Sequence, residues 1–593
     1  MSSKFNLFIR LWKCIGHKKK KSFVFLIFLS LIASLSELIS IGLVLPFLSV
    51  LANPEYLIKN KVFNYIYENF FYFGTEKILL FFSILFGLSV LLSGFLRLFL
   101  IWFSTKFSYS LGSDLSCRVY ELTLHQPYSF HINKNSSEII STMSSKANNI
   151  ISQIIMPFAN LISYFTLLVF MLIALAMVNL EATILSALLF ASFYFFVAYL
   201  TNKKLQFNSH VMASSLNDSI KSIQEGLGSI RDVLIDGTQS IYCDIYKKTD
   251  IKLRGAQASS VFIGSSPRLV IESFGTIFII IIAYRLSMLD KSFSSAIPIL
   301  GTLAIGAQKI LPVLQQLYIS WTNIQSGINT LDDVLLLLEQ PEPKFFKKQS
   351  KLKPLLFNNF IELKKVIFAY AGNSPVVLDR IDLIIKKGSR IGIIGKTGCG
   401  KSTLVDLIMA LLLPKSGEMF IDSQKINESN AYKWQKNISH VPQNIYIADA
   451  TIKENIALGF PIESIDANLI KNVIKQAQLS DLVSRLSHGL DTNIGERGIK
   501  LSGGERQRIG IARALYRKPR LIIFDEATSA LDSVTENSVM SAINKLSSDL
   551  TILIVAHRIG TLKNCDQIIE LKDGKIFKKY NYAQLTKGLK ERQ

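Results

Sequence analysis

Six long apolar stretches in the first 330 residues restrict what this chain can fold into. They lie near residues 22–50, 77–105, 154–179, 182–201, 265–286 and 293–321. An α-helix needs about 20 apolar residues to cross roughly 30 Å of hydrocarbon, and each stretch is long enough to do so. Because lipid offers the backbone no hydrogen-bond partner, apolar stretches of this kind cross as helices. We therefore expect an α-helical polytopic membrane domain over residues 1–330.

Basic residues near the N-terminus set the expected orientation of these helices. Lys18, Lys19, Lys20 and Lys21 stand directly before the first apolar stretch, and positive residues that flank a span stay in the cytoplasm. Six crossings return the chain to the same side, so both termini are expected there. The formal net charge of +22 therefore points to anionic lipid headgroups, and we expect no nucleic-acid partner.

Two polar intervals between the apolar stretches, 107–150 and 202–260, have compositions compatible with helices. We expect them to extend the membrane helices into the cytoplasm as levers, with tips near 125–128 and 224–229 that contact the second half of the chain. Ordinary surface loops are the alternative. On the opposite side of the membrane, residues 56–71 alternate with a helical period, which is typical of an interfacial helix or of an extension of a neighbouring span.

Charged residues inside membrane spans are costly, at about 2.5–3.5 kcal/mol each near a helix centre, and usually face a bundle interior or a watery cavity. Glu37, Arg97, Arg268, Glu272 and Lys309 are in this position. Glu272 lies one helical turn from Arg268, so an ion pair is one interpretation of these two. Arg97 and Lys309 have no local acidic partner, which favours a cavity that receives an anionic substrate.

The pattern changes after a junction at 331–355 that contains prolines and a lysine-rich run. Residues 356–593 combine short apolar strands, glycine turns and amphipathic helices, which predicts a soluble α/β domain. A glycine-rich stretch follows its apolar run 391–394 and precedes a helix-like run that begins at Thr403. The stretch reads Gly395, Lys396, Thr397, Gly398, Cys399, Gly400, Lys401, Ser402.

This order of strand, glycine-rich turn and helix predicts a phosphate-binding loop. The glycines let the backbone turn tightly and point its N–H groups inward, and the start of the helix adds the positive end of its dipole. Lys401 would reach the β- and γ-phosphates of a nucleotide, and the Ser402 hydroxyl would be a Mg²⁺ ligand.

A second strand carries two acidic residues. Residues 521–524 are all apolar and are followed by Asp525 and Glu526. Continuous apolarity is typical of a parallel strand that is buried on both faces, and ligands gather at the carboxyl ends of such strands. There, Asp525 would hold Mg²⁺, and Glu526 would orient the attacking water.

Another phosphate-binding helix start is predicted at Leu501–Glu505, where Ser502 is suited to capping and Gly503 and Gly504 supply backbone N–H groups. With these motifs, the chain resembles the ATP-binding cassette superfamily, specifically the exporter-type half-transporters. The resemblance covers essentially the whole chain. It implies an α-helical polytopic membrane domain of six transmembrane helices followed by an α/β P-loop ATPase domain.

The resemblance also implies roles for single residues. Tyr370 is similar to the aromatic residue that stacks on adenine, with an ordinary core tyrosine as the alternative. Gln443 resembles the glutamine that contacts Mg²⁺ and senses the membrane domain, and Glu496 resembles an acidic loop that meets the coupling helices. Residues 529–532 resemble the dimer-contact loop, and His557 resembles the switch histidine that contacts the γ-phosphate.

In this family, the signature of one subunit closes over the phosphate loop of the other. Leu501–Glu505 resembles that signature, with Glu505 where glutamine is commoner, and we expect no effect of this change. No catalytic position is degenerate. The resemblance therefore implies an ATP hydrolase coupled to transport, with ATP and Mg²⁺ as cofactors and two competent sites in a homodimer. A heterodimer is the alternative.

A narrower resemblance, to bacterial lipid-linked oligosaccharide flippases, rests on four features of the membrane half. These are the run 37–47, Pro267 and Arg268 with Glu272, Lys309 ahead of Pro312, and an external amphipathic helix. Arg97, Arg268 and Lys309 fall where those proteins line a cavity with basic residues. This implies ATP-driven export or flipping of a polyprenyl-pyrophosphate oligosaccharide across the cytoplasmic (inner) membrane of a bacterium.

Other functions remain as alternatives. An ABC exporter of a peptide, a lipid or a hydrophobic drug is the first of them. A cassette ATPase that acts on nucleic acid is disfavoured by the six membrane stretches. Intact Glu526 and His557 favour a pump over an ATP-gated channel.

Overall fold

The computed structural model describes residues 2–52, 75–178, 180–289, 293–342, 353–370, 374–526, 533–544, 549–556 and 558–590. The chain forms two compact units. We call Met1–Gln126 together with Lys134–Glu342 the helical unit, and Pro127–Asn133 together with Pro343–Gln593 the α/β unit. The predicted interfacial helix at 56–71 lies outside the described residues.

The helical unit is built mainly from long α-helices. In chain order they are α1 (Ser2–Cys14), α2 (His17–Gly42), α3 (Val44–Ala52), α4 (Thr75–Leu124), α6 (Ser136–Ser141), α7 (Ala147–Ile150), α8 (Met156–Val178), α9 (Leu180–Gly228), α10 (Ile230–Ile235), α11 (Gln239–Leu289) and α12 (Phe293–Leu338). Two π-helical turns, Thr142–Lys146 and Ile151–Ile155, flank α7. The helix α5 (Tyr128–Asn133) belongs to the α/β unit.

Among the described residues, four helical segments are long and apolar enough to cross a membrane: His17–Leu51, Leu79–Leu124, Ser136–Val178 and Thr183–Gly228. They cover the first four predicted spans to within two residues at each end. The fifth and sixth predicted spans lie within α11 and α12. Large apolar side chains remain exposed on this unit, for example Leu91 at 71% and Phe195 at 75%. A surface of this kind suits lipid rather than water.

Both polar intervals that were predicted as levers are helical. The helix α4 runs on to Leu124, and α9 runs on to Gly228. The segment Pro127–Asn133, which follows α4, belongs to the α/β unit. Burial, together with Asp406 and Tyr370, raises the pKa of Tyr128 in that segment. The last two residues of the first predicted tip, 127 and 128, therefore belong to the α/β unit. Contacts of the second tip at 224–229 stay a prediction.

Acidic residues near the carboxyl-terminal end of α12 are held by cations from other helical segments. Arg10 of α1 donates two hydrogen bonds to the Glu339 carboxylate, at 2.7 and 2.6 Å, and one to Asp332 at 3.0 Å. The Lys146 side chain is 1% exposed and donates to Asp333. Because a buried charge needs a partner, these pairs fix how α12 packs against its neighbours.

The α/β unit contains two sheets. Its elements are β1 (Phe360–Phe368), β2 (Leu378–Lys386), β3 (Arg390–Gly395), α13 (Lys401–Ile408), β4 (Ser416–Ile421), β5 (Gln424–Lys425), α14 (Ala431–Gln435), β6 (Ile438–Val441), α15 (Ile452–Ile456), α16 (Ala467–Gln476), α17 (Ser480–Arg485), α18 (Gly503–Tyr516), β7 (Leu521–Asp525), α19 (Ser533–Asn544), β8 (Thr551–Val555), β9 (Gln567–Lys572), β10 (Lys575–Tyr580) and α20 (Tyr582–Lys590). An antiparallel sheet has the order β2-β1-β4-β5, and a larger sheet has the order β10-β9-β3-β8-β7-β6.

The larger sheet is parallel from β9 to β6, and only β10 runs antiparallel to its neighbour. All five residues of β8 and the first four of β7 are buried, which confirms the prediction that the apolar run 521–524 is an inner strand. The carboxyl ends of β3, β7 and β6 lie on one edge of this sheet. The segments that follow these strands carry the predicted functional residues.

Candidate functional site

The loop that joins β3 to α13 has a backbone that requires glycine. Gly400 caps α13 with φ at +100°, and a Cβ added there would lie 2.8 Å from the Leu378 side chain. At Gly395, an added Cβ would lie 2.4 Å from the Leu571 carbonyl oxygen and 2.6 Å from Cys399 Sγ. A side chain at either position would force the loop out of this shape.

Lys401 folds back into the loop. Its Nζ donates hydrogen bonds to the carbonyl oxygens of Gly395, at 2.9 Å, and Lys396, at 3.1 Å, and the residue is 8% exposed. The ammonium thus lies among the loop carbonyls, while Lys396, Thr397 and Gly398 are exposed. A phosphate is a stronger acceptor than these carbonyls, so the loop fits a phosphate group.

The helix α13 presents two hydroxyls of the predicted site on different sides. Ser402 is exposed, whereas Thr403 is buried and its hydroxyl lies 3.0 Å from the Tyr370 hydroxyl. The other end of α13 is fixed by the fully buried Trp434, whose indole N–H donates to the Ile408 carbonyl at 2.8 Å. Tyr370 is therefore held beside the first turn of α13, and its stacking on adenine stays a prediction.

The predicted catalytic residues Gln443 and Glu526 are in contact. Gln443 follows β6, and its amide Nε2 donates to Glu526 Oε2 at 2.7 Å. Glu526 has a φ of +51°, and its backbone N–H donates to the Val555 carbonyl of β8 at 3.0 Å. Unusual backbone conformations of this kind are concentrated at functional sites. Asp525 ends β7, directly before Glu526.

Asp406 joins this group, although no motif in the sequence predicts it as a site residue. It lies on α13, one turn beyond Ser402. Burial and the neighbouring Asp525 carboxylate raise the pKa of Asp406 to about 6, from an ordinary value of 3.8. The signal in the sequence is an acidic residue within the otherwise apolar run 404–412. It was missed because only the fold brings Asp406 close to Asp525.

The start of α18 has the geometry predicted for a helix cap. The Ser502 hydroxyl accepts a hydrogen bond from Glu505 N at 3.2 Å, and Glu505 Oε2 accepts one from Ser502 N at 2.8 Å, which is a capping box. Arg485 also pairs with Glu505. Burial opposes the shift, but the hydrogen bonds from Ser502 and the Arg485 guanidinium together lower the pKa of Glu505. The Glu505 carboxylate thus forms a salt bridge with Arg485, which a glutamine at this position could not form.

Two predicted elements of the ATP site cannot be compared with the structure. His557 and the predicted dimer-contact loop 529–532 lie outside the described residues. Glu496, on the predicted acidic loop, is exposed.

Two family descriptions match this chain. Residues 378–529 match the family described as "ABC transporter", and residues 22–299 match "ABC transporter transmembrane region". The chain belongs to the ABC transporter family. The transporter also shares its fold with a solved structure, "Structure of a bacterial Atm1-family ABC exporter with ATP bound", at a TM-score of 0.76 and 21% identity over 96% of both chains. These findings confirm the predicted fold class.

Curated relatives of the transporter are exporters. It is 29% identical to the "ATP-dependent lipid A-core flippase" of Pectobacterium atrosepticum over 392 residues, which are 65% of this chain and 66% of the relative. It is 36% identical to the "Alpha-hemolysin translocation ATP-binding protein HlyB" of Escherichia coli over 283 residues, 47% of this chain and 39% of that one. The transporter is therefore an ABC exporter that couples ATP hydrolysis to transport across a membrane.

In the membrane half of the transporter, Lys309 has an acidic partner. Its Nζ lies 2.6 Å from Glu37 Oε1 and 3.5 Å from Ser40 Oγ. The Glu37 side chain is 7% exposed, and that of Lys309 is 28% exposed. The sequence shows no local acidic partner for Lys309, and the partner that the structure adds is distant in the chain. The partner was missed because it lies 272 residues away in the chain, on α2.

Arg97 lines a small cavity between α2, α4 and α8 that has both polar and apolar walls. Glu37, Ser104, Asn160 and Tyr164 are among the other residues that line it. The cavity has a volume of about 30 Å³, room for roughly two water molecules. No described residue forms a hydrogen bond or salt bridge with Arg97. The buried Ser104 hydroxyl likewise has no hydrogen-bond partner in the described part of the chain.

Arg268 is not part of this cavity. Its Nε lies 3.7 Å from Glu272 Oε2, and both side chains are about half exposed, at 50% and 56%. The ion pair suggested by their spacing in the sequence is therefore present. Of the three predicted substrate residues, the structure brings only Arg97 to the cavity that also contains Glu37.

Proposed function

We propose that this exporter flips a lipid-linked saccharide, of the polyprenyl-pyrophosphate oligosaccharide type, across the cytoplasmic (inner) membrane of a bacterium. The observation that carries the proposal is the placement of the cations Arg97 and Lys309 around one buried carboxylate, Glu37, within the membrane half. Cations form strong hydrogen bonds with phosphate oxygens. Relatives named lipid A-core flippases support a lipid as the transported molecule.

The residues proposed for ATP all belong to the α/β unit. The loop from Gly395 to Thr403 would bind the phosphates, and Tyr370 would stack on adenine. Ser402, Gln443 and Asp525 would hold Mg²⁺, which neutralises charge on the phosphate oxygens when bound. Glu526 would orient the attacking water, with Gln443 fixing its carboxylate and His557 acting on the γ-phosphate.

A second copy of the chain would complete each site with Ser502, Gly503 and Gly504 of its signature. The backbone N–H groups of Gly503 and Gly504 at the start of α18 suit an anion. We therefore propose a homodimer in which residues 1–330 form the transmembrane domain, 331–355 the linker and 356–593 the nucleotide-binding domain. Both termini are proposed to lie in the cytoplasm.

Reconstitution tests the proposal. The purified exporter is placed in proteoliposomes with a fluorescent polyprenyl-pyrophosphate saccharide, and movement of the lipid between leaflets is followed after ATP is added. We expect ATP-dependent movement that Glu526→Gln abolishes. A parallel sample contains a polyprenol of the same chain length without the pyrophosphate, and we expect it not to move.

The other outcomes separate the alternatives. Movement of lipid A-core and not of the polyprenyl lipid would replace the proposed substrate with the one named for the relatives. ATP hydrolysis without movement of either lipid, together with stimulation by a peptide or a hydrophobic drug, would contradict a flippase and leave the exporter.

A further inference from the structure

The pair formed by Glu37 and Lys309 presents an electrostatic problem for an exporter of anionic lipids. A substrate phosphate can use the Lys309 ammonium only if the ammonium is accessible, yet an unpaired cation in a membrane span is costly. In this structure the ammonium is bonded to Glu37 at 2.6 Å, and its side chain remains 28% exposed. The charge of Lys309 is therefore balanced by Glu37, while its side chain stays partly accessible to a substrate.

Glu37 has a second cation close by. Its side chain lines the cavity of about 30 Å³ together with Arg97, on the adjacent helix α4. Polar groups continue around this cavity, including the unpartnered Ser104 hydroxyl and Asn160. A carboxylate that left Lys309 would thus enter a space that the Arg97 guanidinium and several polar side chains help to line, so it could pair with a second cation.

We infer that Glu37 is an internal counter-ion, which holds Lys309 in the empty exporter and is displaced toward Arg97 when the phosphate of an anionic lipid binds Lys309. The inference rests on the proposed anionic substrate. Every charged group keeps a partner in this exchange, because the substrate phosphate then pairs with Lys309 and the Glu37 carboxylate pairs with Arg97.

The counter-ion should affect the binding of anionic and neutral lipids differently. A neutral lipid has no group that can replace the Glu37 carboxylate at Lys309, so its binding would leave the pair intact. An anionic lipid must compete with Glu37, and this competition lowers its affinity relative to a site without the carboxylate. Removal of the negative charge from Glu37 should therefore strengthen binding of anions alone.

The experiment measures binding of farnesyl pyrophosphate, a short prenyl pyrophosphate, to the full-length exporter in nanodiscs without ATP. We expect Glu37→Gln to bind it about tenfold more tightly than the wild type, since a competing charge at hydrogen-bond distance is removed. Lys309→Met should weaken binding at least fivefold, and the double variant should match Lys309→Met. Affinity for farnesol, the neutral probe, should not change.

Two further variants keep the test decisive. Glu37→Asp retains the charge but shortens the side chain, so we expect an affinity gain of about threefold, even if Glu37→Gln folds poorly. Glu181→Gln removes the charge of an exposed glutamate at the start of α9 and should leave the affinity unchanged.

The outcomes separate this inference from the proposed function. Unchanged or weaker binding of farnesyl pyrophosphate by Glu37→Gln and Glu37→Asp would overturn the counter-ion, even if the polyprenyl-pyrophosphate saccharide is flipped. A gain in affinity with no flipping of that saccharide by the wild type would support the counter-ion and contradict the proposed substrate.

Discussion

The two units of this exporter hold their functional cations in different ways. In the α/β unit, Lys401 is bonded to carbonyls only six and five residues before it. In the helical unit, Lys309 is bonded to a residue 272 positions away, and Lys146 to one 187 positions away. A charged site that is built from one loop can be recognised in the sequence as a short motif. A charge site built between helices depends on the packing of the whole unit.

The largest expected effect belongs to the α/β unit. Glu526→Gln keeps the hydrogen bond with Gln443 possible but removes the negative charge that would orient water. We expect ATP hydrolysis to fall on the order of 10³-fold, within the range for loss of a general base. Binding of a fluorescent ATP analogue and the melting temperature should stay close to wild type, because the change is confined to one loop.

A matched control is Glu463→Gln, which alters an exposed glutamate in the same unit and should retain wild-type hydrolysis. If Glu526→Gln hydrolysed ATP within threefold of the wild type, Glu526 would lose its proposed role. A large drop in the melting temperature of Glu526→Gln would show instead that Glu526 stabilises the folded structure.

The second effect belongs to the helical unit and should appear in stability. Asp333→Asn leaves the Lys146 ammonium buried, at 1% exposure, without its acidic partner. We expect a loss of about 3 kcal/mol in the free energy of unfolding, as for other broken buried ion pairs. Lys146→Met should cost less, about 1 kcal/mol, since Asp333 is 38% exposed and can reach water. Thermal unfolding of the detergent-solubilised exporter measures both.

The double variant Lys146→Met with Asp333→Asn should be more stable than Asp333→Asn alone. As a control, Glu225→Gln breaks the exposed pair with Lys221, whose atoms are 3.8 Å apart, and should shift the free energy by less than about 0.5 kcal/mol. We expect Asp333→Asn to lose more unfolding free energy than Lys146→Met. A larger loss from Lys146→Met would contradict this expectation.

The same contrast explains what the sequence could predict. The fold class followed from apolar stretches and from a strand, glycine-rich turn and helix, because these patterns depend on neighbours in the chain. Glu37 was recognised as unusual from its apolar surroundings, but its bond to Lys309 was not predicted. No local pattern links residues on α2 and α12, so the pairing emerges only from helix packing.

Asp406 shows that the α/β unit also has site charges whose environment depends on a distant strand, as does Glu526, which is bonded to Gln443 83 positions away. The pKa of Asp406, about 6, lies above the ordinary value of 3.8 because of burial and the Asp525 carboxylate. The folded state therefore binds this proton more tightly than the unfolded chain does. Asp406 therefore contributes to the free energy of unfolding through its tighter proton binding in the folded state. This contribution is fully present below about pH 4 and is lost as the pH rises through about 6.

Asp406→Asn should remove this dependence and is the smallest expected effect. At pH 7.5 we expect the variant to be more stable than the wild type by about 1 kcal/mol, after allowing for partial exposure of Asp406, and near pH 5 the difference should shrink. Thermal unfolding of the α/β unit within the intact exporter measures it, with the exposed Asp549→Asn as control. A constant difference from pH 5 to 7.5 would mean that Asp406 does not titrate there.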